Sequence, residues 1–263
     1  MSKTSFEKMK NKNILITGGL GHLGFDIATQ LLKNSKNYLI LIDKKKMSSK
    51  INSFYKKNKS RILFIKMDIS KINDYKKLNL TLKKKIKYLD VIINNAGYYE
   101  NDKGFDANFL NEKFKSWEEV FKVNLYSPFF LVQNLYQLLL KANNPSIINI
   151  GSIYGSIAPD FNLYKGTRIT NPASYNCSKA ALLQLTKWMS SNLAPKIRSN
   201  IISPGGIYRR QNKSFLRKYN LKNPMKRMAK EKDISFLVEF MISSKANYLN
   251  GQNIFVDGGF ANL

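Results

Sequence analysis

Short runs of consecutive apolar residues alternate with longer amphipathic stretches along nearly the whole chain. Such runs suit strands buried on both faces of a sheet, and the amphipathic stretches suit helices crossing from one strand to the next. The strand candidates are residues 13–17, 38–42, 62–66, 89–93, 146–150, 197–202 and 253–256. Seven strands with intervening helices predict an α/β chain, with one doubly wound, seven-stranded parallel sheet and helices on both faces. No repeat, low-complexity linker or Pro/Gly/Ser-rich boundary interrupts the pattern, so residues 1–263 are expected to form one domain. Two connections, 98–116 and 207–230, are longer than a simple crossover needs. Both follow the carboxyl ends of strands, where open α/β sheets bind ligands.

Composition narrows the class. Hydrophobic residues make up 43% of the chain, too many for an intrinsically disordered protein. No window approaches the roughly 18 consecutive apolar residues of a membrane-spanning helix. Lys and Arg total 44 against 17 acids, a formal charge of +27. Such a charge suggests nucleic acid or a membrane surface, yet 37 of the basic residues are Lys and only 7 are Arg. Phosphate and base recognition favours the guanidinium fork. The excess therefore reads as a background rich in Lys, Asn and Ile, and neither nucleic acid nor membrane is expected as a partner. It is densest between Lys44 and Lys87, where 16 basic residues face two acids, Asp68 and Asp74. Cys177 stands alone and the N-terminus has no apolar signal core, so a reducing, cytoplasmic setting is expected.

Directly after the first strand comes Thr17-Gly18-Gly19-Leu20-Gly21-His22-Leu23-Gly24, followed by a helical pattern through Lys33. Glycines at such a turn let the backbone approach a pyrophosphate, which meets the free N–H groups and dipole of the helix start. Asp43 lies 19 residues beyond Gly24, at the end of the second strand. A carboxylate there accepts hydrogen bonds from the ribose hydroxyls of NAD and repels a 2'-phosphate. Lys44, Lys45 and Lys46 follow at once and can neutralise that phosphate, so NAD is expected with NADP still open. His22, the sole histidine, has no Cys or second His beside it and reads as a loop side chain near the phosphates, so no metal site is expected.

Further along stand Asn94-Asn95-Ala96-Gly97, Gly151-Ser152, Tyr175-Asn176-Cys177-Ser178-Lys179, Pro204-Gly205 and Val256-Asp257-Gly258-Gly259. Together with the glycine loop, the Asp68-Ile69 pair and Asn124, their order resembles that of the short-chain dehydrogenase/reductase family over essentially the full chain. No single piece carries this: Tyr-x-x-x-Lys occurs three times, from Tyr55, Tyr99 and Tyr175, in a chain with 14 tyrosines. The resemblance implies a Rossmann domain and an NAD(P)-dependent oxidoreductase interconverting an alcohol and a ketone. It implies a catalytic set of Asn124, Ser152, Tyr175 and Lys179. It implies cofactor contacts by Gly18, Gly19, Gly21, His22, Leu23, Gly24, Asp43, Asp68, Ile69, Asn95, Ala96, Gly97, Tyr175, Lys179, Pro204 and Gly205, and a homodimer or homotetramer.

The chemistry of the Tyr/Lys pair follows from spacing. Positions i and i+4 share a helix face, so the Lys179 ammonium is expected near the Tyr175 phenol, lowering its pKa from about 10 toward neutrality. Ser152 would hydrogen-bond the reacting oxygen, and in relatives the Asn holds a water in a proton relay. Cys177 reads as a buried small residue.

Two features depart from the short-form branch of the family. The glycines run Thr-Gly-x-x-Gly-x-x-Gly, the spacing of the extended branch rich in nucleotide-sugar enzymes, and Ser152 and Tyr175 are 23 positions apart, more than short-form members usually carry. The mixture is similar to reductases associated with surface-glycan and flagellin-modification sugars. A sugar or nucleotide sugar is therefore the expected substrate, with residues 158–172 lining its site and 207–230 as a lid bearing Arg209, Arg210 and Arg217. The rivals are an NADPH-dependent 3-ketoacyl-carrier-protein reductase, which needs an open apolar channel, and a non-catalytic dinucleotide-sensing or nucleic-acid-binding protein, which would be expected to have lost catalytic groups.

Overall fold

The computed structural model describes residues 11–33, 36–99, 109–167 and 170–262. Seven strands, β1 (Asn13–Thr17), β2 (Tyr38–Asp43), β3 (Ile62–Lys66), β4 (Val91–Asn94), β5 (Ser146–Ile150), β6 (Arg198–Pro204) and β7 (Asn253–Val256), form one sheet in the order β3-β2-β1-β4-β5-β6-β7. Every pairing is parallel. The winding reverses between β1 and β4, opening a crevice at the carboxyl ends.

Alternate residues of each strand enter different cores, which is why the strand runs are apolar throughout. Ile14 and Ile16 pack on one face with Leu23, Ile27 and Leu31 of α1 (His22–Lys33) and with Ile234 and Val238 of the helix Glu231–Met241. Leu15 points to the other face, among Leu78 and Leu82 of the helix Tyr75–Lys83 and Leu131 and Leu135 of the helix Ser127–Leu139. The spacings of four within these helices put one apolar stripe on the sheet. The helix Phe114–Phe121 runs into Ser127–Leu139 through a π-helical turn, Lys122–Tyr126.

Three strands differ from the sequence reading: β2, β4 and β6 run further at their carboxyl ends, to Asp43, Asn94 and Pro204, and β4 and β6 also start later. Leu89 is buried, but its N–H goes to Leu138 O, so pairing with β5 starts at Val91. Ile197 closes the turn after the helix Ala173–Asn192 by donating to Leu193 O, and β6 starts one residue later. Burial made both look like strand; the ladder excludes them.

The 207–230 excursion leaves and returns at one point. Ile207 pairs with Ala229, Tyr208 N donates to Ala229 O and Ala229 N to Gly206 O, both at 2.9 Å. Between them, the helix Lys213–Lys222 buries Phe215 and Tyr219 in a third apolar cluster with Ile153, Leu163, Met228 and Phe260. Of the 98–116 connection, residues 100–108 lie outside the described residues. No described helix is long and apolar enough to cross a membrane.

Candidate active site

A cavity of about 830 Å³ opens at the carboxyl ends of the strands and takes in the glycine loop, Asp43, Ser152, Tyr175 and Lys179. Its floor at one end is the turn between β1 and α1. Gly18 has φ +64°, Gly21 N donates to Gly18 O at 3.0 Å, and the turn delivers the chain into α1. Asn95 holds this turn from beneath: its Nδ2 donates to Thr17 O (2.9 Å) and Gly18 O (3.2 Å). Thr17 Oγ1 in turn accepts from the backbone N–H groups of Asn95 and Ala96, each at 3.1 Å. The Asn-Asn-Ala-Gly turn after β4 is thereby bonded to the glycine loop after β1.

Gly18, Gly21, Leu23, Gly24, Asp43, Asp68, Ile69, Asn95, Ala96, Gly97, Pro204 and Gly205 all line the cavity. Gly19 does not: it is packed against Leu41, and its N–H goes to Ile42 O at 3.1 Å. His22 opens α1 with an exposed side chain and also stands outside the lining. Asp43 is buried, with Oδ2 accepting from Leu20 N at 3.0 Å and Oδ1 from Lys45 N at 2.9 Å. Burial pushes the Asp68 carboxyl upward, but hydrogen bonds from Ser70 and the nearby Lys44 outweigh it and hold the group below its usual value. Lys44 is also 5.6 Å from the Tyr98 ring centroid, so its ammonium is already engaged. With bare glycines at a helix start, a buried acid after β2 and a deep cleft between them, these residues fit a nicotinamide dinucleotide. The described residues contain no His, Cys, Asp and Glu cluster suited to a metal ion.

The chemical end sits on β5 and the helix α6 (Ala173–Asn192). Ser152 lies two residues beyond the end of β5 and caps the following turn by accepting from Tyr154 N at 3.2 Å. Tyr175 occupies the first turn of α6, its ring edge-on to Tyr99 at 5.8 Å. One turn later Lys179 is 4% exposed, donates from Nζ to Ile150 O at 2.8 Å, and lies 5.7 Å from the Tyr175 ring centroid. The i, i+4 geometry is as the spacing predicts, but its expected electrostatic effect is not found in the protein alone. Burial pushes the Tyr175 phenol up to about 12, although the Ser152 hydroxyl pulls the other way, and burial pushes Lys179 down to about 8. Desolvation of both groups outweighs their attraction.

Asn124, in the π-helical turn, is 1% exposed and does not line the cavity. Its Oδ1 accepts from Tyr98 N (2.8 Å) and its Nδ2 donates to Tyr98 O (2.9 Å) and Ser178 Oγ (3.0 Å). Ser178 Oγ donates to Tyr175 O at 2.7 Å. Asn124 thus ties the loop after β4 to the helix carrying the phenol, a positioning contact. The extra residue of a π-turn, a feature frequent at functional sites, lets a helix place such a side chain.

The adh_short_C2 family model, described as enoyl-(acyl carrier protein) reductase, matches residues 21–261. The chain belongs to the short-chain dehydrogenase/reductase family. It is 32% identical over 257 residues to 3-oxoacyl-(acyl-carrier-protein) reductase FabG of Buchnera aphidicola subsp. Baizongia pistaciae, covering 96% of this chain and 98% of that one. It is 28% identical over 261 residues to post-translational flagellin modification protein A of Campylobacter coli, covering 96% and 99%. A short-chain dehydrogenase from Leptospira borgpetersenii, solved with bound NAD+, shares 32% identity and superposes with a TM-score of 0.86 over 99% of this chain and 97% of its own. This short-chain dehydrogenase/reductase is an NAD(P)-dependent oxidoreductase.

The remaining wall of the enzyme's cleft comes from the segments that depart from short-form spacing. Tyr164, Thr170, Asn171 and Pro172 line the same cavity as Tyr175, so the inserted segment faces the phenol. Tyr154 and Tyr164 share a hydrogen bond between their hydroxyls at 3.0 Å, and Asn171 Nδ2 donates to Tyr164 at 3.2 Å. Burial raises the pKa of both phenols, so this wall is polar but uncharged. The 207–230 excursion grips the insert: Lys222 pairs with Asp160 at 2.8 Å, Lys218 Nζ donates to Asn162 O and Lys165 O, and the Phe215 ring lies 5.5 Å from Tyr164. Cys177 is exposed, contrary to the sequence reading, because it falls on the outward face of α6.

Sequence reasoning missed Tyr99 and Glu112. Glu112 accepts from Ala173 N at 2.5 Å and Ser174 N at 3.2 Å, taking the place of a side-chain cap at α6, whose N-cap residue is Pro172. No motif could have signalled it, because the carboxylate arrives from 61 residues away. Replacing Glu112 by Ala frees two N–H groups in the turn that carries Tyr175, at a cost of about 1 kcal/mol. With that cost falling on the placement of Tyr175, the expected result is a fall in kcat of about fivefold with NADH affinity unchanged. Steady-state kinetics beside a fluorescence titration check this, and an unchanged kcat would remove Glu112 from the positioning of Tyr175.

Proposed function

We propose that this enzyme interconverts an alcohol and a ketone on a hydroxyl-rich, sugar-class substrate, with Tyr175 as the general acid/base and NAD the preferred dinucleotide. The observation that carries the reading is the polar wall of Tyr154, Tyr164 and Asn171 beside Tyr175. Buried hydroxyl and amide groups of this kind reward a substrate that hydrogen-bonds and penalise one that leaves them unpaired. The likeness to a flagellin modification protein supports it. The identity with FabG favours the second reading, a 3-oxoacyl-carrier-protein reductase, but an acyl chain has little to offer a wall of hydroxyls.

When bound, the dinucleotide supplies or accepts a hydride. Gly18, Gly21 and Gly24 hold its pyrophosphate at the start of α1, Asp43 accepts from the adenine ribose, and Asp68 and Ile69 flank the adenine. Asn95, Ala96, Gly97, Pro204 and Gly205 line its path toward Lys179. Ser152 hydrogen-bonds the substrate oxygen. Tyr175, protonated at neutral pH, delivers a proton to that oxygen in the reducing direction. In the oxidising direction the phenol must give up its proton first, and the Lys179 ammonium favours that anion. Asn124 keeps the helix in register with the loop after β4. The exposed, unpaired Cys177 suits a cytoplasmic protein, and the family relationship suits a homodimer or homotetramer.

The test is a turnover screen with NADH and NADPH against keto sugars, keto nucleotide sugars and 3-oxoacyl thioesters. We expect a kcat/KM for a keto sugar at least about 100-fold above that for any thioester, about 2.7 kcal/mol of discrimination, with NADH preferred. The reverse ranking would replace the sugar reading by the carrier-protein one.

A further inference from the structure

The three arginines of the lid do different work. Arg209 is spent on the fold: its guanidinium pairs with Glu231 and donates to Tyr208 O. Arg217 is exposed on the outer helix and does not line the cleft. Arg210 lines the cleft and makes no ion pair with the described residues. Its backbone has φ +59°, a left-handed conformation that any residue carrying a Cβ adopts at a cost. The neighbouring Gln211 enforces it, accepting from Arg209 N at 2.6 Å and donating to Ile207 O at 2.8 Å. A strained turn, clamped on both sides, holds Arg210, an exposed residue, at the cavity.

From these contacts we infer that Arg210 is the anion-binding residue of the substrate site, taking a phosphate or carboxylate on the substrate. Position in the sheet separates this from the cofactor's phosphates. Arg210 follows β6, three strands from the glycine loop after β1 and four from Asp43 after β2. At the usual strand spacing these are about 14 and 19 Å. The carboxylates that line the cleft, Asp43 and Asp68, are at that far end, so they leave the Arg210 charge uncompensated. A planar guanidinium beside a wall of neutral hydroxyls is suited to two oxygens of one anion. The inference rests on the sugar-class reading and narrows it to an acidic sugar, a sugar phosphate or a nucleotide sugar.

The probe is inorganic pyrophosphate, titrated by calorimetry into protein saturated with NADH, so that the cofactor's own phosphate site is filled. We expect Arg210→Gln to weaken pyrophosphate at least tenfold, Arg210→Lys to weaken it less, and Arg217→Gln to leave it unchanged, with NADH affinity constant throughout. Arg210→Gly relieves the left-handed strain, so it should melt no lower than wild type and still lose the anion. Equal pyrophosphate binding in wild type and Arg210→Gln would overturn the proposal, as would a loss confined to NADH affinity. Turnover of oxoacyl thioesters in place of sugars would defeat the sugar-class reading and leave this titration to stand or fall by itself.

Discussion

Tyr175→Phe is expected to bind NADH as wild type does and to lose about 10³ to 10⁴ of its turnover, the larger part of what a positioned general acid supplies. The substitution removes one oxygen and little else. The ring keeps its edge contact with Tyr99, the Lys179 ammonium keeps its bond to Ile150 O, and Ser152 keeps its cap on Tyr154 N. Cofactor affinity should therefore survive. What disappears is the proton that a phenol raised to about 12 holds at pH 7; the lining phenols Tyr154 and Tyr164 are bonded to each other, and Ser152 is far too weak an acid to replace it. Fluorescence titration with NADH and single-turnover rates separate the two effects. Turnover within tenfold of wild type would take Tyr175 out of the chemistry.

Gly24→Val is expected to abolish dinucleotide binding and to lower the melting temperature by more than about 10 °C, a loss of several kcal/mol for a chain of this size. Gly24 is in the first turn of α1 with helical backbone, so conformational freedom is not its role. Space is: a Cβ there would lie 2.2 Å from Gly18 O and 2.7 Å from Asn95 Nδ2. Both atoms belong to the one joint that fixes the phosphate turn to the loop after β4, so neither can move without opening it. Gly166→Val is the control. Gly166 has φ +75° with nothing within 4 Å of its would-be Cβ, so only left-handed strain of about 1–2 kcal/mol applies. Equal effects of the two substitutions on NADH affinity would remove the clash as the cause.

Four strands, β1, β3, β5 and β7, have the bounds read from their apolar runs; β1 and β5 are buried almost throughout and write their length directly into composition, whereas β3 and β7, at the sheet's edges, are mostly half-buried. Edges blurred where burial and ladder pairing part company, at Leu89 and Ile197. The joint order of motifs singled out Ser152, Tyr175 and Lys179 as a set, and all three line one cleft. The pKa balance was not legible, because i, i+4 spacing reports proximity but says nothing about the water that both groups lose. Asn124's amide contacts, Glu112's cap and the hydroxyl pairing of Tyr154 with Tyr164 were likewise hidden: each depends on how separate loops meet at the sheet's edge.

The bridge between Ile207 and Ala229 pins both ends of the lid at one place on the sheet's rim. A chain that exits and re-enters through a single doorway can be lengthened, shortened or exchanged without altering the spacing of the strands it springs from. Tyr175 and Lys179 ride on α6 and Ser152 follows β5, while the excursion from Ile207 to Ala229 and the insert it clasps form a cassette apart from them. Selection can redraft what this enzyme accepts by editing that cassette, and the proton-handling apparatus need never be rebuilt.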